Sequence, residues 1–526
     1  MSKALAVVGK VFSHKAEAGN PPRLASLTLH NFRAFPGPTD ETIRLDGKNL
    51  LVYGENGAGK SSIFHALNGL FSLKDRSYGR SKILSNQQNR FSGLAENDVW
   101  VSVEFDDTYP SRWDTNSHPA DIEGLEPLIV NAAYRKAMLD YRSLLDTNYR
   151  HANEQVNLFE AMVHTILRDW PISHNGSERP LADLWRTIQS FWNSERHTQS
   201  TRSYLKDAIE SFNPGLQSAL DTILPIANEL LSALGWADVQ IESLRFPRLS
   251  INWHEDVRAK RKLMGQAVFI GLKFRDSEIE APHHFLNEAR LSGLAIALYL
   301  AGRRICAQST FQDTPRLMVL DDVLIGLDQS NRLPVLRMLR EHFLDWQIVL
   351  LTHDRVWFEM ARTHLPDNGD QAWTSLELFE GTEPNGITRP VQRPKNMDVI
   401  ADNLGLAAAF LADHYDNAAA VHTRMAFEQS LKKFCERKGV PVAFKSNPKD
   451  LTTENLLNAI DAWLSDAKRA AQKAALAPHL TAARACRSVI LNPYSHSTPV
   501  TLVTAEIQTA IDAVTTLNAE LKKAFP

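Results

Sequence analysis

Asn49-Leu-Leu-Val-Tyr-Gly54-Glu-Asn-Gly-Ala-Gly59-Lys60-Ser61-Ser-Ile-Phe-His-Ala-Leu-Asn-Gly-Leu-Phe71 is the stretch on which the fold turns. Its first five residues are an apolar run of strand length, and the residues from Ser61 onward carry helical spacing that puts Ile63, Phe64, Leu67, Leu70 and Phe71 on one face. Between them, Gly54 to Ser61 matches G-x4-G-K-[ST] in the strand–loop–helix setting the motif requires. Glycines let backbone N–H groups close on phosphate oxygens, and the following helix start adds positive potential. Asn56, Gly57, Ala58, Gly59, Lys60, Ser61 and Ser62 are therefore the residues expected around a nucleotide. Lys60 would neutralise the β- and γ-phosphates and Ser61 would ligate Mg²⁺, making ATP and Mg²⁺ the expected ligands.

Working outward, Leu24, Leu27 and Leu29 roughly alternate with polar neighbours, and Val99, Val101, Val103 and Phe105 keep the period of a half-buried strand. Leu317–Leu320 is a second apolar run, ending in Asp321 and Asp322. Asp321 would hold Mg²⁺ through water, and Asp322 would polarise an attacking water. Standing alone, two acids at a strand end would serve equally well to cap a helix. Gly326-Leu-Asp328 reads as a turn. Ile348–Leu351 is a third run and leads to His353, which is either a structural histidine or a sensor of a γ-phosphate. A long helix, Leu286–Ala307, precedes these runs. Buried runs with helices between them predict a parallel sheet covered on both faces.

Residues 130 to 250 read as helices, over Ala132–Leu145, Asn157–Leu167, Leu181–Ser194 and Leu216–Leu234. Pro171, Pro180, Pro214 and Pro225 are expected to break this insert, which excludes one long antiparallel coiled coil. Gly381–Lys395, with Pro384, Pro390 and Pro394, reads as a low-complexity joint. The alanine-rich remainder reads as helical: Val421, Met425, Leu431 and Phe434 on one apolar face, Glu428 paired with Lys432, and a stop at Lys438-Gly439. The expected divisions are 1–115, an ATPase lobe with the P-loop; 116–265, a helical insertion; 266–395, a second ATPase lobe; and 396–526, a helical C-terminal domain.

The 526 residues exceed a single domain of ~150. Lys+Arg 58 against Asp+Glu 61 excludes a polycation, so nucleic-acid contact would need a local patch such as Arg258-Ala-Lys-Arg-Lys262, which reads equally as a solvated turn. Three scattered cysteines exclude a disulfide scaffold and a zinc cluster and fit a reducing cytosol. With no apolar run long enough to span a bilayer, a cytoplasmic protein is expected.

In this order, the pieces resemble the ATPase head of the ABC superfamily, in its SMC/RecF-like branch. Leu27–Phe35 (LTLHNFRAF) is similar to that branch's opening strand and GENGAGKSS to its P-loop, and the resemblance covers about 24–110 and 266–365. It implies an α/β head with Asp328 as the D-loop acid, His353 as the switch histidine and Asp322 in the catalytic position, where the branch normally has Glu. Leu286-Asn287-Glu288-Ala289-Arg290 aligns with the signature, placing Asn287 at its serine, though Asn287 would also cap the helix. For the lobe-linking glutamine, Gln87, Gln88 and the Tyr141-Arg142 segment stay open. The resemblance further implies a homodimer or larger even assembly, with the signature of one subunit closing the ATP site of the other.

LNEARLSGLAIALYLAG, LDDVLIGLDQSNR and LLTHDRVWFE resemble ATPase subunits of anti-phage modules, Septu-like and retron-associated, which work with a separate nuclease or effector. The expected role is then an ATPase that senses DNA, RNA or phage components and controls such a partner, with 396–526 for docking or oligomerisation. Three rivals are a RecF-like repair ATPase, a scaffold holding ATP without turnover, and a self-contained toxin. The toxin would rest on Arg487 and His496, which are similar to the Arg/His pair of HEPN ribonucleases but lie eight residues apart.

Overall fold

The computed structural model describes residues 21–71, 80–106, 110–118, 127–140, 157–255, 258–279, 286–308, 315–383, 386–395, 397–443, 451–486 and 504–525. They fall into two compact units: Met1–Ala361 with Asn368–Pro394, and Arg362–Asp367 with Lys395–Pro526.

The first unit starts with β1 (Leu24–His30), β2 (Glu41–Arg44), β3 (Asn49–Gly54), α1 (Lys60–Leu70), β4 (Trp100–Phe105), β5 (Ser111–Asp114), α2 (Pro127–Arg135) and β6 (Ala137–Asp140). Its middle contains β7 (Pro171–His174), β8 (Ser177–Pro180), α3 (Leu181–Trp192), α4 (Gln199–Ala233), β9 (Val239–Arg245), β10 (Ser250–Ile251), β11 (Leu263–Met264), β12 (Phe269–Phe274) and β13 (Ser277–Ile279). It ends with α5 (Glu288–Gln308), β14 (Leu317–Asp321), α6 (Gln329–His342), β15 (Gln347–Thr352), α7 (Arg355–His364), β16 (Trp373–Thr382) and β17 (Thr388–Lys395), the last residues of α7 and β17 falling in the second unit.

Two sheets sandwich the core. One is antiparallel, in the order β2-β1-β4-β5; the other has six strands, in the order β17-β16-β3-β15-β14-β6, parallel from β16 through β6. Leu27 and Leu29 of β1, Val101 and Val103 of β4, Ile63 and Leu67 of α1, and Val52, Val319 and Val349 of the parallel sheet meet in one apolar cluster. Every residue of β3, β14 and β15 is buried, as the continuous apolar runs require of strands covered on both faces. The buried Gln347 amide staples the two sheets: Oε1 accepts from Leu24 N at 2.6 Å while Nε2 donates to Leu24 O at 2.9 Å and Lys48 O at 2.7 Å.

The structure corrects four readings. The expected helix Ala132–Leu145 ends at Arg135, and the chain turns directly into β6, the edge of the parallel sheet. Pro214 and Pro225 do not break the insert, because both lie inside the single 35-residue helix α4. They stand on its solvent face, where the carbonyls they deprive of a donor, at 210 and 221, can be met by water. Asn213 and Asn228 then clip α4 to its neighbours, each amide donating to and accepting from one backbone residue, Leu249 and Ile241. Pro180 caps α3 and Pro171 opens β7. The joint at Gly381–Lys395 is mostly sheet, since β17 is an edge strand and an edge tolerates the missing N–H of Pro390 and Pro394.

The second unit packs α8 (Val399–Ala412), α9 (Asp416–Lys438), α10 (Thr453–Leu464), α11 (Ala470–Cys486) and α12 (Thr504–Ala524) around Leu411, Phe427, Leu431, Leu457, Leu480, Val514 and Leu517. Gly439, at φ 62, ends α9. The fourth correction lies here. Leu431 and Phe434 face the core, but Val421 and Met425 are exposed on the other side of α9, and Glu428 pairs with Arg424 at 3.1 Å. Arg487 and His496, and Tyr141-Arg142, lie outside the described residues.

Candidate nucleotide site

The site stands where β3 passes into α1. Gly57 and Gly59 take φ of 92° and 101°, values at which an L side chain is strained, and a Cβ on Gly59 would approach Pro390 Cγ to 2.8 Å. Gly59 is the N-cap of α1, no side chain caps it, and its first turn has no acid, so the amides at the helix start keep their positive potential. Lys60 is buried and curls back, its Nζ donating to Gly54 O at 2.6 Å and Glu55 O at 3.1 Å. Burial lowers the Lys60 pKa, and Asp322 and Asp321 oppose that shift.

A cavity of about 480 Å³ opens here. Asn56, Gly57, Gly59, Lys60, Ser61, Ser62 and Asp322 form one side, and Arg33, Ala34 and the run Asn86–Phe91 form the other. Of the expected P-loop residues, Ala58 does not line it: its methyl group joins the core and its N–H donates to Glu55 O. Ser62 Oγ is occupied by Ala34 N at 3.3 Å. Gln87 and Gln88 both reach the wall, Gln87 bonded to Arg33 and Gln88 to the backbone of Ala95 and Asn97. The remainder of that wall, Arg33, Asn86, Asn89, Arg90 and Phe91, was not singled out from sequence. A polar run with an arginine and an aromatic, lying between a helix and a strand, is the signal that marks it.

Asp321 ends β14, and Asp322 after it lines the cavity. Asp321 is buried and hydrogen-bonded by Ser61, yet its Oδ1 has no hydrogen-bond partner. Burial raises its pKa to about 6; the Ser61 bond and Lys60 pull it down, while Asp322 and Asp140 push it up. An orphaned, desolvated carboxylate oxygen next to a serine hydroxyl fits Mg²⁺, a hard cation that takes oxygen donors. Asp322 follows at φ 55, and its Oδ1 accepts from both His353 N and His353 Nδ1 at 3.0 Å. The strand-end histidine thus reaches the site through Asp322.

Two expected residues stand apart from the cavity. Asn287 is exposed and caps α5, its Oδ1 accepting from Arg290 N at 3.0 Å. Asp328 is the exposed N-cap of α6, without a side-chain cap bond. The basic cluster is divided: Lys260 and Lys262 are exposed, whereas Arg261 is buried, donating to Glu255 O at 2.8 Å and lying over Trp253. Among the described residues no helix is long and apolar enough to cross a membrane.

No curated protein matches the sequence. Solved structures similar to it include an SMC head bound to the C-winged-helix domain of ScpA, at 14% identity over 71% of this chain and 98% of that one with a TM-score of 0.37. The SMC head domain from Thermotoga maritima matches at 14% over 70% and 99%, with a TM-score of 0.31. The recombination mediator RecF with ATP, of the RecFOR pathway, matches at 12% over 72% and 100%, with a TM-score of 0.39. The RecF/RecN/SMC N-terminal domain model matches residues 23–366, and the chain belongs to that family of SMC/RecF-like ABC ATPases.

Proposed function

We propose that the chain binds and hydrolyses ATP with Mg²⁺, dimerises on ATP, and through its nucleotide state controls a separate nuclease or other effector in anti-phage defence. The observation that carries the catalytic half is that Lys60, Ser61 and Asp322 line one cavity, with Asp321 hydrogen-bonded to Ser61 and His353 bonded to Asp322. In this reading Lys60 and the amides of α1 hold the phosphates. Ser61 and Asp321 hold Mg²⁺, which supplies charge neutralisation for the leaving phosphate. His353 fixes Oδ1 of Asp322 and leaves Oδ2 to accept a proton from water. Asn287, exposed at the start of α5 and not lining this cavity, would in this reading meet a nucleotide on a second copy.

Lys60→Ala should abolish nucleotide binding, and tight binding retained would overturn the site. Asp322→Ala should keep binding and lower hydrolysis by ~10²-fold or more, with dimers accumulating on ATP; unchanged turnover would remove Asp322 from the base role. The effector half is supported by the resemblance to anti-phage ATPases and by a helical unit that extends well beyond the family match. Native co-purification from the gene's own neighbourhood tests it: a stoichiometric nuclease or reverse transcriptase is expected, and recovery of this chain alone would favour a repair role or a self-contained toxin.

A further inference from the structure

In the second unit, α9 is apolar on two opposite sides. One side, with Ala419, Phe427, Leu431 and Phe434, belongs to the core. The other carries Val421 and Met425, 42% and 47% exposed, and runs back through the half-buried Ala418 to the N-cap Tyr415, 64% exposed. Positions 415, 418, 421 and 425 recur at helical spacing on one face. Beside that face the half-buried Phe410 of α8 meets the Tyr415 ring edge-on, centroids 6.4 Å apart, and stacks on His422 at 5.3 Å. A surface helix ordinarily keeps one apolar face and turns the other to water, and a contiguous exposed apolar patch marks a contact.

The charges at the two ends of this face identify what covers it. At its start stands Asp413 and at its end Lys432, both exposed. Glu428, one turn before Lys432, already accepts from Arg424 Nε at 3.1 Å and Thr453 Oγ1 at 3.4 Å. Among the described residues neither Asp413 nor Lys432 has an ion-pair partner. The face is acidic at one end, apolar in the middle and basic at the other, so it is complementary to itself when turned end for end. A two-fold axis makes that turn, since an isologous contact sets residue i against residue j and j against i. With Val421 opposite Met425 of the partner subunit, Asp413 comes to the level of Lys432 of the partner subunit.

From this self-complementarity we infer that the outer face of α9 docks on the same face of a second copy of the chain, the two helices antiparallel. Tyr415, Val421 and Met425 form the centre of the contact, and Asp413 and Lys432 pair across it at both rims. No residue of the nucleotide site takes part, so the contact goes beyond the ATP-driven pairing proposed above and holds two copies together without nucleotide. A partner of unrelated sequence would need neither the opposed end charges nor their even placement about the apolar centre; a copy of the same helix needs both.

The test is sedimentation velocity of the full chain in nucleotide-free buffer over a range of concentrations, with circular dichroism confirming that each variant folds. The parent and Lys60→Ala should both dimerise at roughly micromolar concentration. Val421→Glu combined with Met425→Glu sets like charges at the centre and should weaken the dimer about a hundredfold or more. Asp413→Lys alone and Lys432→Asp alone should each weaken it about tenfold, and the two in one chain should restore it, because exchanging the ends leaves the face complementary to itself. Monomers at every concentration overturn the inference. So does a dimer that needs ATP and is lost in Lys60→Ala, which would belong to the nucleotide site, and so does a dimer indifferent to the two glutamates. A double charge exchange no better than the single changes also overturns it, since a partner of different sequence would behave in that way. If the glutamate pair does not fold, Val421→Ser with Met425→Gln removes the apolar contact without adding charge and should weaken the dimer less.

Discussion

Asp169 and Asp321 are two acids almost equally shut off from solvent, in different parts of the first unit, and they are treated in opposite ways. Asp169 lies 2.7 Å from the buried Arg303, which also donates to the carbonyls of Lys136 and Tyr134. Burial works against the Arg303 charge, and Asp169 beside it overrides this, raising its pKa above the ordinary value. Asp321 has a serine hydroxyl and a lysine in its vicinity but a bare Oδ1, and its pKa goes up to about 6. In the first pair the two charges meet each other, although Arg303 Nη1 is left without a hydrogen-bond partner, and the pair fastens α5 to β6. The second is left for something that arrives later. A buried charge reads as structural or functional according to whether its partners are already in the chain.

The largest expected effect breaks the paired side. Arg303→Met leaves Asp169 buried beside a thioether and removes the donor to two backbone carbonyls, so unfolding free energy should fall by about 3–5 kcal/mol. Denaturant titration monitored on the first unit measures it. Adding Asp169→Leu should return most of the loss, because the two buried charges go together and Arg168, which also lies 3.4 Å from Asp169, is more than a third exposed. A loss under about 1 kcal/mol would show that the pair is dispensable and would dissolve the contrast.

The next effect is smaller and its sign is the informative part. The Asp321 carboxyl holds its proton to a higher pH when folded, about 6, than its ordinary value of 3.8. Between those values the unfolded chain has released a proton the folded chain keeps. Stability therefore falls as pH rises through that window, and the cost is fully present above pH 6. Two pH units correspond to at most about 3 kcal/mol. In metal- and nucleotide-free buffer Asp321→Asn should melt higher than the parent at pH 8 and equally at pH 4. With saturating Mg²⁺ and ATP the parent should regain its lead, through ligand linkage. An unchanged or lower melting point at pH 8 would mean that Asp321 is already compensated within the chain, like Asp169.

The same contrast explains what was legible in the sequence. Gly57, Gly59, Lys60 and Ser61 could be read because the backbone conformation and the chemistry are both local to one loop. β14 and β15 could be read because burial on both faces leaves an uninterrupted apolar run. β6 could not, since Ala137-Met-Leu-Asp140 follows a helix without a turn signal and becomes a strand only by pairing with β14. The cavity wall at 86–91 faces the P-loop through tertiary packing alone. Pro214, Pro225, Pro390 and Pro394 misled for one shared reason: each removes a donor, but on a solvent face or a sheet edge the chain tolerates that loss. Asn287 and Asp328 rest on resemblance alone, and in the fold they are exposed residues at helix N-caps away from the cavity.

The smallest expected effect asks whether the functional side also stores backbone strain. Asp322 stands at φ 55, in the left-handed region, while two bonds from His353 hold its Oδ1. Aspartate visits this region more readily than most residues, glycine enters it freely, and alanine pays about 1–2 kcal/mol to do so. Asp322→Gly and Asp322→Ala both lose the His353 bonds and the carboxylate, so the difference between them isolates the backbone. The glycine variant should be the more stable by about 1 kcal/mol, a few degrees or less in melting temperature for a unit of this size. Equal stabilities would mean that the left-handed turn collapses once the side chain is gone. The conformation would then be a product of the Asp322–His353 contact, and the strain would belong to the dyad that orients the acid rather than to the strand that delivers it.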